Sequence, residues 1–222
     1  MLERSFVTRK HTETKRDYLA RVNNFEMPKY RAAELAKQWG FDYWDGDRSI
    51  NYGGHYFKKG YWEPTARGLI ETYSLNSKSA VLDVGCGKGF LLKELSDLVP
   101  GIKICGLDVS NYAIQNAHPD IANSLKLGHA AQLPFSDNEF DLVYSINTLH
   151  NLYTYELHRA LSEMQRVGEN KFICVESYRN ELEKQNLLYW QVTCEAFNTP
   201  EEWLWWFNLA GYTGDYEFIF FE

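Results

Sequence analysis

Residues 81–90 read VLDVGCGKGF. An apolar run enters a turn with glycines at 85, 87 and 89, and the helical pattern FLLKELSDLV (90–99) follows at once. A strand–turn–helix of this kind lets the backbone pass close to a ligand, because side chains at the glycines would block the approach. The spacing narrows the ligand. A dinucleotide fingerprint is GxGxxG; here it is GxGxG, and position 90 is Phe. Asp83 stands two residues before the first glycine. A carboxylate there repels a pyrophosphate and suits a ligand that carries positive charge. No phosphate-binding GK[ST] follows.

The second signal is Asp108, nineteen residues past Gly89 (108 − 89), at the end of the run KICGLDVS (103–110). In a doubly wound sheet the carboxyl ends of the strands face the ligand crevice, and a carboxylate there can accept both hydroxyls of a ribose. Taken singly, Asp83 also reads as a satisfied strand-end acid. Asp108 also reads as a helix N-cap, a role for which Ser110 competes. Together with three glycines at this spacing they read as a nucleoside site.

Outward from the turn, strand-like runs alternate with helical ones. AVLDVG, KICGLDVS, SLKLGHA, FDLVYSI and KFICVES are the apolar runs, with FLLKELSDLV, NYAIQNAH and YELHRALSEMQRV between them. Alternation of this kind predicts an α/β fold, a doubly wound and mostly parallel sheet with helices on both faces. A helical region follows at 181–197. Thr199-Pro200-Glu201-Glu202 reads as an N-cap, a proline at N1 and acids in the first turn. It opens the helix EEWLWWFNLAG, which stops at Gly211. The aromatic run of that helix, 203–207, reads as core and interface. The closing YEFIFF (216–221) reads as a last strand, and any antiparallel edge strand would be this one.

Residues 1–75 differ in character. Helices are expected at 15–23, at 28–39 with Gly40 as its stop, and at 64–73. This gives an N-terminal helical segment and cover, 1–75, on a ligand-binding core, 76–222.

The whole composition fits one soluble domain. Lys plus Arg number 23 against 30 Asp plus Glu, a formal charge of −7. An acidic chain lacks the cationic footprint of a nucleic-acid binder. The basic cluster Arg4, Arg9, Lys10, Lys15 and Arg16 reads as a solvated end. No apolar run approaches the ~20 residues that span a bilayer, and no apolar stretch of a secretory signal opens the sequence. Cys86, Cys105, Cys174 and Cys194 form no CxxC, and no Cys or His pair has the usual spacing of metal ligands. A reducing cytoplasm fits, with no metal site.

The blocks DVGCGKG, LDVS and LPFSDNEFDLVYSINTLHNL together resemble the class I S-adenosylmethionine-dependent methyltransferases of the small-molecule type, over roughly residues 78–177. The resemblance implies a Rossmann-like methyltransferase fold and S-adenosylmethionine as donor, with S-adenosylhomocysteine as product. Carried over by position, Asp83, Gly85, Cys86, Gly87 and Gly89 line the methionine and sugar end, Asp108 holds the ribose and Val109 flanks the adenine. In GHAAQLPF (128–135) the family usually places an acid after the glycine, for the adenine amino group. This chain has His129 there, with Gln132 or the backbone at Ala130 as substitutes. The family's sheet usually closes with a hairpin. Only eleven residues follow Gly211, which leaves the edge shortened or completed by a partner.

Methyl transfer is an in-line displacement that needs alignment and exclusion of water. The segment 41–62, FDYWDGDRSINYGGHYFKKGYW, holds eight aromatic residues and no steady period. In this family the segment before the first strand often covers the crevice, so 41–62 is the expected lid. Trp44 and Trp62 read as docking residues; Tyr52 and His55, beside Gly53 and Gly54, read as functional. Asp45, Asp47 and Arg48 add polar groups for a substrate. After FDLVYSI, Asn147 is a candidate to orient donor or substrate. His150 is a candidate general base, although the family often carries a packing histidine there. From 181–197, Tyr189, Trp190 and Glu195 are candidate wall residues. The expected activity is N- or O-methylation of a small metabolite, sugar or modified intermediate, with a homodimer compatible. The competing reading is a catalytically silent methyltransferase-like subunit of a larger complex. A nicotinamide oxidoreductase is disfavoured by GxGxG with Phe90.

Overall fold

The computed structural model describes residues 1–7 and 16–222. Six strands form one sheet: β1 (Ala80–Val84), β2 (Lys103–Asp108), β3 (Leu125–Leu127), β4 (Phe140–Ile146), β5 (Gly168–Glu176) and β6 (Asp215–Ile219). Their order is β3-β2-β1-β4-β5-β6, and every pairing is parallel. The chain winds outward from β1 in one direction and from β4 in the other. The switch point therefore lies between β1 and β4, where such sheets bind ligands at their carboxyl ends. Residues 80–99 fold as the sequence predicts: β1, the glycine turn, then the helix Phe90–Leu98.

Central strands are covered on both faces, which is why β1 and β5 read as continuous apolar runs rather than alternating ones. Leu82, Val84, Val143, Ile173 and Val175 pack against the helices Thr154–Val167 and Pro200–Leu209, through Leu157, Leu161, Met164, Trp203 and Phe207. Val81, Leu142, Tyr144, Phe172 and Cys174 face the helices Glu63–Tyr73, Phe90–Leu98 and Glu181–Trp190. Trp203 and Phe207 are fully buried while Trp205 is exposed, so the aromatic run is largely core. A third, smaller cluster joins Ala32, Ala36, Tyr43, Trp44 and Ile50 of the N-terminal segment to Ala113 and Val192.

Four expectations are corrected. The last strand is parallel to β5, not antiparallel, with Phe172 beside Asp215 and Glu176 beside Ile219. The two helices between β5 and β6 form the long crossover that a parallel neighbour requires. The edge is not left open either. Residues 2–7 run along β6: the Arg4 amide donates to the Tyr216 carbonyl (2.8 Å), and the Tyr216 amide donates to the Leu2 carbonyl (3.1 Å). Unpaired edge groups are a liability, and here the chain covers them itself. The helix expected over 181–197 ends at Trp190, because the Glu195 and Ala196 amides are taken by the His150 carbonyl (both 2.9 Å). The described part of the basic cluster is not a solvated end: Arg4 pairs with Asp215 at 2.6 Å, and Arg16 lies over the rings of Trp190 and Phe221. Arg9, Lys10 and Lys15 fall outside the described residues.

Of the remaining N-terminal helices, the one expected at 64–73 is found at Glu63–Tyr73, and the other two are shortened. The helix expected at 28–39 spans Lys29–Ala36, and Trp39 turns out of it with φ of 54°. The helix expected at 15–23 is one turn, Leu19–Val22.

Candidate functional site

The three glycines of the turn sit at φ of 82°, 56° and 76°, the left-handed region that side chains avoid. A Cβ at Gly85 would meet the Thr148 hydroxyl at 2.1 Å, and one at Gly87 the Trp44 ring at 2.7 Å. The crowding that demands glycine thus comes partly from the protein: the loop after β4 and the N-terminal segment both press on the turn.

The two acids occupy the strand ends as expected. The Asp108 carboxylate accepts from the Gly87 amide (2.7 Å) and the Ser110 amide (2.7 Å), which ties the end of β2 to the glycine turn. Burial pushes its carboxyl up, and those backbone N–H groups oppose the rise. Ser110, not Asp108, caps the next helix by accepting from Ala113. Asp83 is 5% exposed, and burial pushes it up to about 8, with the Asp108 charge adding and the Tyr144 hydroxyl opposing. That hydroxyl is buried and makes no well-formed hydrogen bond. No cation pairs with Asp83 among the ion pairs of the described residues.

A cavity of about 290 Å³ opens at the switch point, lined by Asp108, Val109 and His129 on one side and by Asn147, Asn151, Thr193 and Glu195 on another. A smaller one of about 80 Å³ adjoins it, lined by Asp83, Cys86, Gly87, His55 and Phe90. Trp44, Tyr52, Gly85, Ile146 and Asn147 line both. The structure therefore gathers Asp83, Gly85, Cys86, Gly87, Asp108, Val109, His129, Asn147, Tyr52 and His55 around one crevice.

Gly89, Ala130 and His150 line neither cavity. Gly89 faces Ile121, and Ala130 belongs to the core. His150 is 2% exposed; its Nε2 lies 3.5 Å from a Glu176 carboxylate oxygen and its Nδ1 accepts from the Glu176 amide. That placement makes it a support of the loop rather than a group in the crevice. Burial, then the Lys88 charge, pushes His55 down to about 4, so it is a neutral imidazole at pH 7; it stacks on Phe90.

The segment 41–62 forms one helical turn, Phe41–Trp44, and otherwise irregular chain laid over the glycine turn. Trp44 docks, through Nε1 to the Ser110 hydroxyl (2.9 Å), but it also lines both cavities, stacked on Tyr52 at 5.4 Å and 8°. Trp62 is half-buried at the smaller cavity. Asp45 does not face the cavities. It takes Lys88 Nζ on both oxygens (2.8 and 2.7 Å), the Tyr112 hydroxyl (2.8 Å) and the His55 amide (2.9 Å). Burial alone would raise its carboxyl; these donors outweigh it and hold Asp45 below its ordinary value. Asp47 instead caps the Ser49 amide, and Arg48 bonds the Asn51 carbonyl.

Two residues that sequence reasoning missed shape this site. Lys88 is 4% exposed and also donates to the His55 carbonyl (2.9 Å), so the second variable position of the turn clamps the N-terminal segment down. Nothing local marks it. Glu156 lines the larger cavity with one oxygen 3.7 Å from His129 Nε2. In the sequence it reads only as an acid in the first turn of the helix Thr154–Val167. Of the wall candidates Glu195 lines the larger cavity, whereas Tyr189 and Trp190 line neither.

The family described as "Methyltransferase domain" matches residues 82–173. A demethylmenaquinone methyltransferase of Symbiobacterium thermophilum is 33% identical over 128 residues, 53% of this chain and 50% of that protein. An arginine-hydroxylase of Mus musculus, the mitochondrial NDUFAF5, is 37% identical over 87 residues, 39% of this chain and 24% of that protein. The chain thus spans half or less of the length of these curated relatives. Among solved structures, the YcgJ protein of Bacillus subtilis superposes with a TM-score of 0.54 at 19% identity, over 65% of this chain and 66% of that one; that likeness is one of fold. With the parallel sheet, the glycine turn and the two strand-end acids in place, residues 82–173 match the methyltransferase-domain family, and the α/β core is similar to methyltransferases in sequence and in fold.

Proposed function

We propose that the protein binds S-adenosylmethionine and transfers its methyl group to a small-molecule acceptor by in-line displacement beneath the segment 41–62. The observation that carries this reading is Asp83. A buried carboxyl held protonated near neutral pH by desolvation, with no cation paired to it among the described residues, is completed by a ligand that brings its own ammonium. The neighbouring residues fit the rest of that donor. Asp108 keeps acceptor capacity toward ribose hydroxyls beyond the two amides it holds. The stacked Trp44 and Tyr52 offer ring faces to a cation. When bound, S-adenosylmethionine supplies an electrophilic methyl on a sulfonium.

The chain's own part is alignment and exclusion of water. The clamp of Lys88 on Asp45 holds the cover over the turn, and Asn147, at φ of 56° on the shared wall, points the loop after β4 at the same place. His150 is buried and lines neither cavity, so the reading gives it no part as a base and rests on proximity. A silent binding subunit is the competing reading. One of its supports was an incomplete sheet edge, and the chain's own residues 2–7 occupy that edge.

Calorimetric titration with S-adenosylmethionine and S-adenosylhomocysteine tests this. Micromolar binding by the wild type, lost in Asp108→Ala, is the expected result. Absence of binding in the wild type, with the fold intact by circular dichroism, would sink it.

A further inference from the structure

The larger cavity extends past the residues that the donor would occupy. Asp108, Val109 and His129 mark its donor side; Lys37, Asn151, Leu152, Tyr153, Thr193 and Glu195 line the remainder. Three carboxylates line the whole cavity, Asp108, Glu156 and Glu195, against one lysine. Asp108 is committed to the glycine turn, and Glu156 to the Tyr153 amide and to His129. Glu195 remains, and its only ion pair in the described residues is with Lys37, across the mouth.

That pair is exposed enough to be exchangeable: the side chains are 40% and 23% accessible, and ion pairs so open to water contribute little. A second observation points the same way. The Asn151 amide nitrogen donates to the Asn147 carbonyl (3.4 Å), which fixes the amide's orientation, and its oxygen is then buried with no partner among the described residues. A buried acceptor without a donor is a cost that a ligand bearing N–H groups removes. The wall adds the Tyr153 ring, a face that suits a cation.

We infer that the methyl acceptor is a small primary or secondary amine, bound as its ammonium by Glu195 in exchange for Lys37, with an N–H directed to Asn151. The inference rests on the donor reading above and deepens it to N-methylation. The acceptor nitrogen sheds one proton to water at the mouth. Its lone pair then forms the N–CH₃ bond as the S–CH₃ bond breaks, with the bonding electrons left on sulfur. Ammonium and methylsulfonium thus become methylammonium, thioether and one released proton, and charge is conserved.

The test uses matched probes, benzylamine against benzyl alcohol and glucosamine against glucose, titrated calorimetrically into protein saturated with S-adenosylhomocysteine. Each amine is expected to bind at least about tenfold tighter than its neutral match. Glu195→Gln is expected to bring the ratio to within about twofold, and Lys37→Met, which frees Glu195, to tighten the amines severalfold. Each variant's own S-adenosylhomocysteine titration reports that it is folded. Equal binding of amine and alcohol, no binding of either amine, or a preference that survives Glu195→Gln overturns the inference. Failure of S-adenosylhomocysteine to bind the wild type strikes the donor reading instead, so the two failures are separate.

Discussion

Asp83 is where charge, burial and function meet in one side chain. Its carboxyl is raised in the folded protein to about 8, from an ordinary value near 4. The folded state therefore holds a proton that the unfolded chain releases above about pH 4. By linkage, stability falls as pH rises between those values, at no more than about 1.4 kcal/mol per pH unit for this one group. Glu176, buried and likewise pushed up to about 8, adds in the same direction. Asp83→Asn removes one of the two contributions, so its urea midpoint is expected to fall less steeply than the wild type's from pH 5 to 8. A second consequence concerns the ligand. An ammonium arriving beside Asp83 displaces the proton. Titration of S-adenosylhomocysteine at pH 7, in two buffers of different ionisation enthalpy, should show release approaching one proton, absent in Asp83→Asn. Uptake, or no difference between the buffers, would remove Asp83 as the ammonium's partner.

The segment 41–62 is neither a regular helix nor a strand, yet it is strongly anchored. Its aromatic rings stack in sequence, Tyr52 on Trp44 and His55 on Phe90, and one buried ion pair bolts the array to the glycine turn. Lys88 and Asp45 are 4% and 12% exposed as side chains. Removing one member of such a pair leaves the other charged and buried, at a cost of about 3 kcal/mol. Lys88→Met is therefore expected to lose about that much stability by urea unfolding and to weaken S-adenosylhomocysteine binding. The double variant Lys88→Met/Asp45→Asn should recover part of the stability. A single variant with wild-type stability and affinity would show that the clamp is dispensable. The helix Glu181–Trp190 illustrates another lesson at this scale. Its apolar pattern continues toward 197, but the carbonyl of His150 captures two amides that a helix would need.

Across the whole molecule, residues 2–7 close the sheet from the far end of the chain. Asp215 accepts from the Leu2 amide and Arg4, and Glu217, 1% exposed, accepts from the Phe6 and Val7 amides at 2.8 and 2.9 Å. These bonds link positions more than 200 residues apart. Charge-assisted bonds to a buried carboxylate are worth about 1.5–3 kcal/mol each. Glu217→Gln, which keeps one acceptor oxygen, is expected to lower stability by about 2 kcal/mol and to speed hydrogen exchange at the Tyr216 amide. Unchanged exchange there would mean that the edge is held by other contacts. No helix among the described residues is long and apolar enough to cross a membrane.

The alternating apolar and helical runs, the glycine turn and the two strand-end acids were legible in the sequence because each is a local matter. Period, φ sign and the acids' spacing from the turn depend on neighbours along the chain. Direction of the last strand, cover of its edge, the grip of Lys88 on Asp45, the retreat of His150 beneath the crevice and the arrival of Glu195 within it were not legible. Each depends on which groups, far apart along the chain, meet after the sheet has formed. A lysine inside a glycine turn carries no mark of the aspartate 43 residues away that will bury it. Tertiary packing decides such partners, because a buried charge or amide takes whichever counterpart the completed fold brings within reach.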